Sequence, residues 1–175
     1  MAKLKTLFIS FIIIIFTLFI SFIFYNSFLK SKSETLINLE VSYDKNGNYI
    51  KDSNLLPFTD EEAEQLKSYK FKIKNNSDID VTYELLLQDI ILNDESKKAL
   101  TRNQLRYQLI LNNNIIAKDN MKSIKQNIID KRVVKKQGTN NYEIKIWIAQ
   151  QAYKTDWMNK YYKYKIIVKG IKGGK

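Results

Sequence analysis

The chain has 175 residues, 29 basic and 18 acidic side chains for a formal net charge of +11, and neither cysteine nor histidine. Without cysteine there is no disulfide framework and no thiol nucleophile. Without histidine there is no triad built on a His base and no imidazole zinc site.

From Thr6 to Leu29 no residue is charged, and the core FISFIIIIFTLFISFIF is almost wholly Ile, Phe and Leu. A bilayer core takes roughly 20 apolar residues as a helix, so this stretch predicts a transmembrane helix over residues 6–29. The basic start Met1-Ala2-Lys3-Leu4-Lys5 would also serve a signal peptide. A signal core is only about 7 to 15 residues, however, and no small-x-small site follows Phe24, which favours an uncleaved anchor. Lys3 and Lys5 nearly balance Lys30 and Lys32 across the span. A short tail before a long domain then favours residues 1–5 in the cytoplasm, a linker at 30–33 and an exported domain at 34–175. The expected localisation is the cell membrane, single-pass, with an extracellular C-terminal part.

Within 34–175, alternation of period two predicts antiparallel strands. It places Ile37, Leu39, Val41 and Tyr43 on one face, then Tyr69, Phe71 and Ile73 opposite Lys70, Lys72 and Lys74. The pattern continues through VTYELLLQ from Val81, LRYQLIL from Leu105, YEIKIWI from Tyr142 and YKYKIIV from Tyr162. A weaker run, Ile128 to Val134, makes seven strands. Asn46-Gly47 predicts a hairpin turn, and Asn75 to Asp78, Asn112 to Asn114 and Gly138 to Asn141 predict further turns. Thr59 with Glu62 three residues on is a capping box, predicting a short crossover helix to about Leu66 after Pro57. Further short helices are expected at Asp94 to Leu100 and Asp119 to Asn127. The expected fold class is an all-β antiparallel sandwich with short crossover helices, behind one transmembrane helix.

Chemistry-bearing groups are few. Asp44 to Asn48 offers oxygens at alternate positions, but it lacks the Gly and bidentate Glu of a calcium loop at the required spacing, and a hairpin is preferred. Asp60, Glu61, Glu62 and Glu64 read as a capped, solvated first turn in preference to an acid pair or cation site. Residues 34–64 carry eight acids and two lysines, net −6, and residues 65–175 carry 23 bases and ten acids, net +13. Opposed patches of this kind would let copies attract one another or let a basic face meet an anionic wall polymer, phospholipid or nucleic acid; the plainer reading is a solvated lysine-rich surface. In KYYKYK, alternation turns Tyr162 and Tyr164 inward, which argues against base stacking and makes nucleic acid a disfavoured partner. Trp147 falls on the outer face with Glu143 and Lys145, either under a loop or at an interface. Candidate interaction residues are therefore Trp147, Lys163, Lys165, Lys70, Lys72 and Lys74. Asn75-Asn76-Ser77 fits the glycosylation tripeptide.

Several of these segments, in their order, carry a resemblance: Leu55 to Glu62, the strand Tyr69 to Asn75, Val81 to Leu85, Leu105 to Leu109, Tyr142 to Ile148 and Tyr161 to Val168. The exported part resembles membrane-anchored surface proteins of low-GC Gram-positive bacteria and is distantly similar to the TasA/camelysin group of biofilm matrix proteins. The resemblance implies a jelly-roll or immunoglobulin-like sandwich outside the membrane, with no catalytic residues and no cofactor to carry over. Matrix fibre formers of that group are released by a signal peptidase, whereas this chain is expected to keep its anchor. No HExxH is present for a protease. The function expected is a non-enzymatic structural or adhesive surface component. One rival is an accessory subunit of a membrane complex, joined through Ser10, Thr17 and Ser21 of the helix. Another is a carboxylate-based hydrolase, which would need two converging acids. A type IV pilin lacks support, because neither the prepilin Gly site nor the early helix Glu is present.

Overall fold

A computed structural model describes residues 15–23, 37–45, 47–52, 56–90, 99–151 and 157–171. The chain forms two compact units, Met1–Leu36 and Ile37–Lys175. In the first, residues 15–23 are α-helical, and Phe16, Leu18, Phe19 and Phe22 are each about 60% exposed. Among the described residues no helix is long and apolar enough to cross a membrane. The remainder of the expected span, 6–14 and 24–29, lies outside the described residues, as do the tail, the linker and residues 94–98 of the second expected helix.

The second unit holds ten strands among its described residues: β1 (Leu39–Tyr43), β2 (Tyr49–Asp52), β3 (Pro57–Phe58), β4 (Tyr69–Asn75), β5 (Val81–Asp89), β6 (Leu105–Leu111), β7 (Asn114–Asn120), β8 (Ile128–Val134), β9 (Thr139–Ala149) and β10 (Tyr162–Ile171). They make two sheets, β1-β4-β9-β6-β7 and β2-β10-β5-β8, with β3 added beside β9. Pairing is antiparallel except for the short β3–β9 contact. All seven strands expected from alternation are present, and the all-β sandwich-like architecture follows from them. In β4 the alternation is complete, with Tyr69, Phe71, Ile73 and Asn75 buried and all three lysines exposed.

The interior is filled from both sheets by one cluster that includes Phe71, Ile73, Leu85, Leu87, Leu109, Ile144 and Ile166. A buried hydroxyl network ties the sheets together. Tyr83 Oη of β5 and Tyr142 Oη of β9 lie 2.5 Å apart, Asn140 Nδ2 donates to Tyr83 Oη, and Tyr142 Oη donates to Asp130 Oδ2 of β8 at 2.5 Å. Arg132 pairs with the same carboxylate. Phe71 stacks on the Tyr142 ring at 5.0 Å, with the planes 7° apart. Asn75, expected in a turn, is fully buried and fastens β4 to the start of the β8–β9 connection: Nδ2 donates to the carbonyls of Ile79, Val134 and Lys135, and Oδ1 accepts from Ser77 N. The acceptor nitrogen of the glycosylation tripeptide is thus internal and occupied.

Three local expectations are corrected. Gly47 does turn the chain, with φ +64° and its N–H donating to Asp44 O at 2.9 Å, but β1 and β2 do not pair with each other. The turn passes the chain from one sheet to the other instead of closing a hairpin; Asn46 lies outside the described residues. The hairpin of the fold is β6–β7, whose central residues Asn112 (φ 47°) and Asn113 (φ 68°) both have the positive φ of a type I′ turn. Consequently the helix expected at Asp119 to Asn127 is the end of β7, a three-residue 3₁₀ turn at Met121–Ser123 and a second positive-φ turn at Gln126 and Asn127. The capping box holds, with Thr59 N donating to Glu62 Oε2 and Glu62 N to Thr59 Oγ1, but the element is a four-residue 3₁₀ turn, Glu62–Gln65.

Burial pushes the pKa of Tyr83, Tyr142, Tyr162 and Tyr164 above the ordinary 10, and that of Tyr69 up to about 12. Above pH ~10 an unfolded tyrosine ionises while the folded one keeps its proton, so the native state binds more protons and stability falls as pH rises. Denaturant titrations should show a midpoint that drops above pH ~10, with tyrosinate absorbance from these rings appearing only as the fold is lost. Tyr162→Phe should reduce the slope by about 1.4 kcal/mol per pH unit. Ionisation of all tyrosines with the fold intact would contradict their burial.

Candidate functional site

Strand parity separates the candidate residues. Side chains not directed into the core stand on one of two outer faces, one per sheet, and a residue cannot serve both.

On the outer face of the six-stranded sheet, β4 presents Lys70, Lys72 and Lys74, and β9 presents Glu143, Lys145 and Trp147. The register sets Lys70 opposite Glu143, Gln108 between Lys145 and Lys118, and Arg106 opposite Trp147. Three of these six cations, Lys70, Arg106 and Lys118, are paired with a carboxylate. Lys70 pairs with Glu143 at 3.0 Å, and Glu143, which also accepts from Ser68 Oγ at 2.6 Å, is held below the usual carboxylate range by those two contacts, the Ser68 bond foremost.

The segment carrying β3 and the capped 3₁₀ turn lies across the same face as a strap. Pro57 and Phe58 pair with Ile148 and Ala149, which fixes its start. Arg106 grips Asp60, with Nη2 donating to Oδ2 at 2.9 Å and Nε 2.7 Å from Oδ1, though off the line of its N–H. Lys118 Nζ donates to Asp60 O and lies 3.5 Å from Glu64, and Lys145 Nζ donates to Glu64 O at 2.6 Å. Ala63 and Trp147 are fully buried and Gln108 is 3% exposed. Trp147 therefore sits inside the protein, its outward parity satisfied by a covering segment. The acids of the run are dispersed among separate partners: Asp60 on Arg106, Glu62 in the cap and Glu64 near Lys118. No pair of them is set up for acid–base work. Among the described residues no group of three potential metal ligands converges, and Asp44 Oδ1 accepts from Lys45 N.

An open groove of about 500 Å³ lies at the far end of this face, lined by Ser42, Asp44, Lys70, Lys72, Asn113 and Asn141 among others. It was not evident in the sequence, because its walls come from four separate stretches of chain.

The outer face of the four-stranded sheet differs in charge. Tyr49 and Lys51 of β2, Lys163, Lys165, Ile167 and Lys169 of β10, Glu84 and Leu86 of β5 and Lys131 of β8 share it by register. Glu84 pairs with Lys131 at 3.0 Å. Among the described residues, Lys51, Lys163, Lys165 and Lys169 have no carboxylate partner, and Lys163 Nζ lies 5.1 Å over the Tyr49 ring. Tyr162 and Tyr164, 6% and 1% exposed, are core, as their parity predicts. The structure thus separates the sequence candidates: Lys163 and Lys165 on one sheet, Lys70, Lys72 and Lys74 on the other, Trp147 beneath the strap.

Compared with known protein families, characterised proteins and solved structures, the chain finds no match.

Breaking the Arg106–Asp60 grip should loosen the strap. Asp60→Asn is expected to lower stability by about 1 kcal/mol and to raise acrylamide quenching of Trp147 in a Trp157→Phe background. Trp147→Ala should cost roughly 3–5 kcal/mol, as for a large core side chain. A Trp147 that is readily quenched in the unaltered strap would refute its burial.

Proposed function

We propose that this chain is a non-enzymatic, single-pass membrane-anchored surface protein with a structural or adhesive role in the cell envelope. The observation that carries the adhesive part is the lysine face of the four-stranded sheet, where Lys51, Lys163, Lys165 and Lys169 have no ion pair among the described residues, while on the other face Lys70, Arg106 and Lys118 are paired with acids. A solvated cationic face of this kind attracts anionic polymer.

The anchor is supported by residues 15–23, a helix with exposed Ile, Phe and Leu all round; such a helix is stable only when something apolar surrounds it. The jelly-roll form of the sandwich is supported by strand order. Leaving aside β1 and the two-residue β3, the first and last of eight strands are neighbours in β2-β10-β5-β8, and the second and seventh are neighbours in β4-β9-β6-β7. That is the order of two interlocked Greek keys. It agrees with the resemblance to the TasA/camelysin group, which remains part of this proposal.

Protease shaving of intact cells tests the reading. Residues 34–175 should be cut away, leaving an N-terminal fragment in the membrane that mass spectrometry can size. Full protection would put the domain inside the cell and end the surface reading.

A further inference from the structure

The uncompensated lysines of the four-stranded sheet form a stripe. Lys163, Lys165 and Lys169 stand on one strand, β10, and Lys51 of the neighbouring β2 is in register with Lys163. The strand on the other side, β5, offers Thr82, Glu84, Leu86 and Gln88 to this face; its one carboxylate, Glu84, stands between Lys169 and Lys131 and is paired with Lys131 at 3.0 Å. Positive potential therefore runs about 20 Å along β10 from Lys163 to Lys169, and is two strands wide only at the Lys163–Lys51 end. Successive same-face positions are about 7 Å apart along a strand. At the position between Lys165 and Lys169 stands Ile167, half-buried and opposite Leu86, an apolar step between cations.

We propose that this stripe is a binding site for a linear polyanion of the polyol-phosphate kind, lying along β10 with phosphates on Lys163, Lys165 and Lys169 and its carbon backbone over Ile167 and Leu86. The narrow shape favours a chain over a lipid surface, which would be met best by cations spread in two dimensions. The burial of Tyr162 and Tyr164 removes the stacking platforms that single-stranded nucleic acid uses. On the six-stranded sheet lysines 70, 72 and 74 also lie on one strand at the same spacing, but there Lys70 is paired with Glu143, and Asp60 and Glu64 of the strap bring further negative charge to the face.

The inference rests on the adhesive reading above, and its test is independent of where the domain resides. Full-length protein in non-ionic micelles is titrated onto immobilised poly(glycerol phosphate). Binding should weaken roughly 20- to 50-fold between about 50 and 200 mM salt, as expected for three to four phosphate contacts on a single chain. Lys163→Gln with Lys165→Gln and Lys169→Gln should lose at least about tenfold in affinity and most of the salt dependence. Lys70→Gln with Lys72→Gln and Lys74→Gln, which preserves the net charge change, should stay within about twofold of the unaltered protein. Equal losses in both triple variants would reduce the site to diffuse charge and overturn it. Preference for anionic phospholipid vesicles over the polymer, or for single-stranded DNA at equal phosphate, would overturn it in favour of that partner. Polymer binding by a protein that shaving places inside the cell would sink the surface reading and leave the stripe standing.

Discussion

The hydroxyl network at the centre of the sandwich, Asn140–Tyr83–Tyr142–Asp130–Arg132, is the contact on which the placement of everything else depends. A buried carboxylate and two buried phenols are costly unless each finds a partner, because the low-dielectric interior magnifies both the bonds made and the bonds missed. Here each is met by a partner across the gap between sheets or on the next strand. A slip of β5 or β9 by one residue would send Tyr83 or Tyr142 to the outer face and take from Asp130 its link to the other sheet, leaving it only Arg132 of its own strand. The network thus discriminates against wrong registers more sharply than Leu and Ile can, since apolar side chains tolerate exchange of neighbours.

With the registers fixed, the outer faces are fixed as well. Every lysine at an odd step from a core residue is forced outward, and its electrostatic fate is decided by what its own sheet brings beside it. On the six-stranded sheet that is Glu143 and the acids of the strap, with Glu40 in register with Lys74. On the four-stranded sheet it is Glu84 alone, already engaged with Lys131. The difference between the faces is therefore a property of topology, although each strand on its own looks much the same: YKFKIKN of β4 and YKYKIIV of β10 are nearly interchangeable as sequence.

That near-identity marks the limit of what the sequence discloses. Strands were legible because Tyr69, Phe71 and Ile73, or Tyr142, Ile144 and Ile146, repeat with period two, and burial obeys the same period. Connections were not. Asn46-Gly47 carries the strongest hairpin signal in the chain, yet turn chemistry fixes only the local bend; whether the next strand pairs with the last depends on the sheet it joins. Asn114 to Asn120 hid a strand because β7 is an edge, covered on one side only, so Ile115 is exposed and the alternation is broken by Ala117 and Lys118. The helix expected at Asp119 to Asn127 followed from that miss. Trp147 was placed on the correct face, but its burial depends on Ala63 and the Arg106–Asp60 pair, contributed from far along the chain.

The strap gives the charge asymmetry of the chain a structural meaning. By charge alone the segment 34–64, net −6, is suited to facing a second copy; in the fold, Asp60 and Glu64 are turned back onto Arg106 and Lys118, and Glu40 accepts from Asn76. Acids consumed inside the molecule are not available to attract the lysines of a neighbour. Electrostatic self-association is weakened by this arrangement, and so is any claim on the second sheet, whose lysines lie on the opposite side of the core from the strap. Partially exposed ion pairs contribute little to stability one at a time, so the lasting effect of the acidic segment lies in which cations it silences. It engages Arg106 and Lys118 of one face and leaves the β10 stripe of the other face to an approaching polyanion.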